Sequence, residues 1–364
     1  MTPREAAIAL NLIPKLGPVR VRRLVEHFGS PQAILTAKPA ALRALPGIGP
    51  EIANSIANWE QNTDLPAELR RVTDFGCHVL TQADPTYPRA LREIHDAPTV
   101  LYVWGEITEA DNHAIGIVGA RKPGHYATEC AKKLAYQLAY AGLTVISGLA
   151  RGIDGAAHQG ALAAKGRTLA VIGSGLAKLY PAEHAPLAER IAAGHGAVIS
   201  EFPMTTTADR QTFPMRNRIV AGCSFGLLVV EAGVKSGSLI TASQAAEQGR
   251  SIYAVPGRIT EPACFGSNKL IQSGAKLVTC AQDILDDFGL LFRETPDLHP
   301  PVALPDLPPD QLAALEAIGD DETHIDAIAS KCGLPMPKVS SSLLALEMRR
   351  LVKQLPGSRF VRIN

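Results

Sequence analysis

The chain of 364 residues is 46% hydrophobic and 20% charged, with a formal net charge of +1. That length outgrows a single core and predicts two or three domains, while the near-neutral balance excludes a surface coated in Lys and Arg for wrapping a duplex. No apolar run approaches the roughly 18 residues of a membrane span, the start MTPREAAIALNLIPK lacks a signal-peptide pattern, and six scattered cysteines without a CxxC pair form neither a zinc nor a redox motif. The expectation is a cytoplasmic protein with no metal, no cofactor and no membrane partner.

In chain order, residues 1–70 contain an internal echo. Pro14-Lys15-Leu16-Gly17-Pro18 recurs as Pro46-Gly47-Ile48-Gly49-Pro50, each copy between helical stretches. This predicts an all-α helix-hairpin-helix domain whose glycine turns either expose backbone N–H groups to phosphate or serve a purely structural or protein-binding role. Arg20, Arg22 and Arg23 follow the first copy. From 71 to 105 the pattern changes to short β-prone runs, around Val79 and over Val100 to Trp104, read as a lead-in to the next domain.

From His113 onward, short β-branched runs alternate with helical stretches, the pattern of βαβ units in a doubly wound, mostly parallel α/β sheet. Strands are expected near 114–118, 143–147, 168–172, 197–200, 226–230, 251–255 and 276–279, within a domain spanning 71–292. Pro296, Pro300, Pro301, Pro305, Pro308 and Pro309 then crowd a semi-rigid linker over 293–309. Residues 310–364 regain helical periodicity and close on the β-prone Ser358 to Ile363. There, Ala329, Gly333 and Val339 fall at helix-turn-helix offsets. The second helix, from Pro337, turns basic only at Arg349, Arg350 and Lys353, which leaves duplex binding and protein binding both open.

In a doubly wound sheet, ligands sit beyond the carboxyl ends of the strands. The residues there are Gly119-Ala120-Arg121, Ser147 through Gly152, Gly173-Ser174-Gly175, Ser200-Glu201, Glu231-Ala232-Gly233 leading to Ser236-Gly237-Ser238, and Pro256-Gly257. Small residues let the backbone approach a ligand, and N–H groups at helix starts favour anions. Arg121 and Arg151 add charge and bidentate geometry. The rim therefore suits phosphate, although any one glycine is equally explained by a tight βα turn. No GxGxxG follows a strand, so NAD or FAD is not expected.

Phe213, Arg216, Asn217 and Arg218 open a later helix, and Lys178 with Tyr180 follows the Gly173 turn. Aromatics stack bases while cations meet phosphates, which is how single strands are held. The competing reading makes Phe213 and Tyr180 core anchors and pairs Arg218 with Glu201 or Glu231. Asp154 and His158, four apart on one helix face, admit either acid–base chemistry or a structural hydrogen-bonded pair.

GARKPG at 119, SGLARGIDGAAHQGAL at 147, GSGLAKLYP at 173, SEFP at 200, FPMRNRIVAGCS at 213 and EAGVKSGSLITASQAAEQGR at 231 resemble the DNA-processing protein A family (DprA, also called Smf), over about 100–290. The resemblance implies an extended Rossmann-like fold between a SAM-like domain and a winged helix. It further implies a protein that is not an enzyme, binds single-stranded DNA, forms a homodimer through the Rossmann-like domain, and loads the RecA recombinase onto incoming strands during natural transformation. By motif, Arg121 resembles the family's DNA-contacting arginine, and Lys178, Arg216, Asn217 and Arg218 fall in motifs that line its strand pocket. With the rim residues, the expected DNA site is Gly119, Arg121, Ser147, Gly148, Arg151, Gly152, Gly173, Gly175, Lys178, Tyr180, Phe213, Arg216, Asn217, Arg218, Ser236, Gly237 and Ser238. The wider superfamily includes phosphoribohydrolases with a PGGxGT-then-Glu signature, which EAGVKSGS at 231 replaces. The alternative is a nucleotide-processing enzyme that uses Asp154, His158 or Glu231 in the same cleft. A third reading makes the chain chiefly a scaffold.

Overall fold

A computed structural model of the protein describes residues 1–291, 307–319, 322–349 and 351–362. The chain divides into two compact units, Met1–Pro296 and Asp297–Asn364.

The large unit is built on nine strands: β1 His78–Thr81, β2 Val100–Gly105, β3 Ala114–Val118, β4 Thr144–Ser147, β5 Thr168–Val171, β6 Gly196–Ser200, β7 Gly226–Val229, β8 Ser251–Ala254 and β9 Lys276–Leu277. Their order is β1-β2-β6-β5-β4-β3-β7-β8-β9. Strands β3 to β9 pair in parallel, and β2 runs antiparallel to both β6 and β1. AIGIV, TVIS, TLAV and GLLV are buried along their whole length, as parallel strands covered on both faces must be. From β3 the chain winds outward through β4, β5 and β6, then crosses back to lay β7 on the other side of β3. The reversal of winding opens a crevice above the carboxyl ends of β3 and β7.

The β-prone runs of the lead-in segment are β1 and β2, and they join the sheet itself. Its β2, VLYVWG, is apolar on both faces because Leu101 and Val103 enter one core while Val100 and Tyr102 enter the other. In sequence such a run looks the same whether it is an edge, a lead-in or a strand. The second of these cores joins the sheet to the N-terminal helices. Ala6, Ile8, Ala9 and Leu10 of the helix Pro3–Leu12 share it with Val79, Val100 and Tyr102. The helix Leu65–Phe75 runs through residue 70, and its buried Glu68 accepts the Met204 N–H at 2.7 Å and the Arg71 guanidinium at 3.1 Å. The helical hairpins and the sheet thus fold as one unit.

The small unit has helices Pro309–Ala317, Ile325–Cys332 and Met336–Met348 and a sheet in the order β10-β12-β11, formed by β10 Thr323–His324, β11 Val352–Leu355 and β12 Arg359–Arg362. This is a winged helix. Gly333 ends the second helix at φ +66°, a conformation a side chain would strain, and Val339 is buried. Pro308 and Pro309 open the first helix rather than belonging to a linker, and the helix expected from Pro337 starts at Met336. Pro296, Pro300, Pro301, Pro305, Arg350 and Ile363 lie outside the described residues.

Candidate nucleic-acid interface

Above the switch point lies a cleft of ≈ 730 Å³. Gly119, Ala120 and Arg121 follow β3 into it, Ser236, Gly237 and Ser238 open the helix Gly237–Glu247 along one wall, and Phe213 and Asn217 of the helix Thr212–Gly222 form another. A smaller hollow adjoins it, lined by Gly148, Arg151, Gly173 and Tyr180. Arg121 and Phe213 stand in both walls. The Arg121 guanidinium lies over the Phe213 ring, 4.8 Å from its centroid, and the Tyr180 ring sits 5.9 Å from Phe213 at 52°. A cation held on an aromatic face keeps its N–H groups at the ring's edge for an anion. Tyr180 remains 43% exposed, so its face is open to a stacking partner.

Beneath this pair the floor is buried and polar. Arg216 is 4% exposed; it donates to the carbonyls of Gly148 and Val171, and its Nε to Asn217 Oδ1 at 3.1 Å. Asp154 accepts the N–H groups of Gly148 at 3.1 Å and Ala150 at 3.3 Å. Burial pushes the Asp154 carboxyl above its ordinary range against the pull of Arg216, and burial likewise lowers the Arg216 guanidinium. At Gly148 a Cβ would stand 2.6 Å from Asp154 Oδ2 and closer still to the Arg216 guanidinium, so a side chain there displaces the buried pair. Gly152 sits at φ +78°, where a Cβ would collide with the Ala120 carbonyl. Its absence lets the turn after β4 pack under the turn that carries Arg121, joined by Ile153 N–H to Ala120 O at 3.2 Å.

The remaining expected residues divide. Ser147 is fully buried and donates to Ile117 O at 2.6 Å, tying β4 to β3 below the rim. Gly175 packs against the backbone of Pro203 and Met204, and Gly173 admits Phe213, which a Cβ there would meet at 3.2 Å. Arg151 lines the hollow but is ion-paired with Glu183. Ser236 and Ser238 bring their hydroxyls within 2.7 Å of each other at a helix start. Two of the expected cations lie outside both hollows. Lys178 ends the short helix Leu176–Lys178 and lines neither the cleft nor the hollow. Arg218 lies off the cleft, buried against Glu201 and, at 3.2 Å, Asp96, because helical spacing turns it about 100° from its neighbour Asn217. Burial lifts the Glu201 carboxyl to about 7 despite that partner.

Asp154 and His158 do not act on each other. His158 Nδ1 lies 2.7 Å from Thr168 Oγ1, whose hydroxyl donates to Val145 O, and burial holds the imidazole neutral with a pKa of about 3. Glu231 accepts the Gly124 N–H at 3.3 Å, where the helix His125–Tyr140 begins, and burial raises its carboxyl.

Sequence reasoning missed three cations in the cleft wall, Lys122, Arg210 and Lys235. All three are exposed and make no ion pair or hydrogen bond among the described residues. Lys122 and Lys235 sit in the same strand-end loops as Arg121 and Ser236, so extending the strand-end rule by a residue finds them. Arg210 lies in coil far from a strand end and carries no such signal.

Residues 78–289 match the DNA recombination-mediator protein A family, residues 8–58 a SAM-like helix-hairpin-helix tandem, and residues 299–358 the DprA winged helix domain. The chain is 33% identical over 389 residues to Protein Smf of Synechocystis, covering 98% of each. With the DNA processing protein DprA of Bacillus subtilis it shares 42% identity over 224 residues, 61% of this chain and 75% of that one. The X-ray structure of DprA from Streptococcus pneumoniae matches the fold with a TM-score of 0.70 at 31% identity, over 81% of this chain and 99% of the other. A Helicobacter pylori structure described for the single-stranded DNA binding mode of its DNA processing protein A gives 0.53 at 26%, over 59% and 98%.

Proposed function

Because the chain belongs to the DNA recombination-mediator protein A family, we propose that its switch-point cleft binds single-stranded DNA, with phosphates taken by Arg121, Lys122, Arg210 and Lys235 and a base laid against Tyr180 and Phe213. The observation that carries this reading is Arg121 fixed over Phe213 between two hollows, an aromatic and a cation presented together at the carboxyl edge of the sheet. Stacking tolerates any base and a phosphate contact reads none, so binding is strong in low salt and indifferent to sequence. The Helicobacter pylori relative, whose described property is single-stranded DNA binding, supports the same ligand.

In this reading the protein works by holding rather than by catalysis. Asp154 and His158, which acid–base chemistry would recruit, are each engaged by a structural partner. The family resemblance supports the further steps, a homodimer through the central domain that passes the strand to the RecA recombinase during natural transformation. The test is fluorescence anisotropy of a labelled oligo-dT at low salt. Saturable binding is expected, with equal competition by unlabelled strands of different sequence. No affinity at low salt, or release of free base from nucleoside monophosphates, would refute the reading.

A further inference from the structure

A second groove, of ≈ 570 Å³, runs between the helical hairpins and the central sheet, and the strand-binding cleft leaves it unused. One wall carries Gly17, Arg20 and Arg23 at the start of the helix Pro18–Phe28, with Gly47 of the second hairpin turn. The other carries Met215 and Arg218. Pro214 lines both the groove and the cleft, so the two meet over the start of the helix Thr212–Gly222. Helical spacing sorts that segment's side chains: Phe213, Arg216 and Asn217 line the cleft, and Met215 and Arg218 line the groove.

The groove has the chemistry of an anion site. Arg20 donates Nε to Gly47 O at 3.1 Å and Nη1 to Lys15 O at 2.9 Å, which pins the two hairpin turns together while no carboxylate among the described residues pairs with its charge. Arg23 makes no polar contact among the described residues and reaches to within 3.7 Å of where a Gly47 Cβ would stand. Opposite them, Arg218 is only 5% exposed, and its Nη1 has no hydrogen-bond partner even though the side chain is paired with Glu201 and Asp96. A buried guanidinium N–H without an acceptor is costly, and Glu201 Oε1 behind it is likewise buried and without a partner among the described residues. The cations are opposed by Asp96 on the groove wall and by Glu201 behind Arg218. Met215, 41% exposed, offers an apolar shelf between them.

Resting on the strand-binding reading of the cleft, we propose that this groove is a second phosphate site: the same single strand leaves the cleft over Pro214 and is held by Arg23, Arg20 and Arg218, with a base above Met215. The helical hairpins then form part of the DNA surface of the large unit, and the strand they help to hold is longer than the cleft alone accommodates.

The experiment uses the full chain with oligo-dT of about 5 nucleotides, enough for the cleft, and of about 15, enough to reach the groove. Arg23→Glu is the variant, since Arg23 is exposed and bonded to nothing that holds the fold. The expected result is unchanged affinity for the short strand and a loss of roughly five- to tenfold for the long one, with a salt slope shallower by about 0.7. Equal loss on both lengths, or a variant indistinguishable from a wild type that binds both, overturns the groove and leaves the cleft standing. A loss confined to duplex DNA also overturns it. Wild-type protein that binds neither length refutes the cleft, and the groove with it.

Discussion

Arg216 tests whether a residue of the expected DNA site holds DNA or holds the site together. It sits in a motif that resembles a strand-binding one, yet its guanidinium is buried under the cleft, spans the carbonyls of Gly148 and Val171, and faces Asp154. Arg216→Ala strands a buried carboxyl and two carbonyls at once. Removing one partner of a buried charged pair costs about 3–5 kcal/mol, a large part of the roughly 5–15 kcal/mol that holds a domain folded. Trp59 and Trp104 both lie in the large unit, so tryptophan fluorescence during urea unfolding reports that unit alone. The expected result is a lower urea midpoint, with Arg216→Lys recovering only part of it because an ammonium cannot span both carbonyls. A variant that unfolds within about 1 kcal/mol of wild type but has lost strand affinity would show that Arg216 is a contact, and the account of the floor would be wrong.

Three further outcomes follow from the same geometry. Gly152→Ala forces a side chain into a positive-φ turn against the Ala120 carbonyl; it should cost about 1–3 kcal/mol of stability and weaken strand binding as the Arg121 turn shifts, and normal affinity in a destabilised variant would uncouple the two turns. Phe213→Ala removes both a stacking face and the seat of Arg121, so affinity for oligo-dT should drop by about 1–3 kcal/mol with no change in sequence preference; unaltered affinity would remove the aromatic from the site. The His158 pKa is depressed to about 3 from an ordinary 6.5, so the unfolded chain takes up its proton first and stability falls as pH drops. Between pH 6.5 and 5 this amounts to ~2 kcal/mol, and His158→Asn should flatten that part of the stability profile; an unchanged slope would mean that the imidazole is protonated in the fold.

The parallel strands were legible in the sequence because a strand buried on both faces writes itself as an unbroken apolar run, and 114–118 coincides with β3. The glycine-marked strand ends likewise placed Arg121 and Ser236 in the cleft. What the sequence did not show was direction. Arg216, Asn217 and Arg218 are consecutive, and only the helix's rotation puts Arg216 in the floor, Asn217 on the wall and Arg218 behind it against Glu201. The runs around Val79 and over Val100 to Trp104 were legible as β-prone, but not their antiparallel place in the sheet: HVLT is too short for periodicity, and the pairing of β2 with β6 joins residues about a hundred positions apart. Asp154 and His158 show the converse, a correct spacing on one helix face whose two members bond in different directions.

In the proposed function, a cation fixed on an aromatic ring at the sheet's carboxyl edge grips the backbone of a single strand. The most direct test of that grip is the affinity of wild type and Arg121→Ala for oligo-dT across a salt series. Arg121 is exposed and tied to the fold mainly through Phe213, so the variant should keep its stability within about 0.5 kcal/mol. Weaker binding is expected, with a slope of log K against log salt shallower by about 0.7, one phosphate contact removed. An Arg121→Ala protein with the affinity and slope of wild type would contradict it.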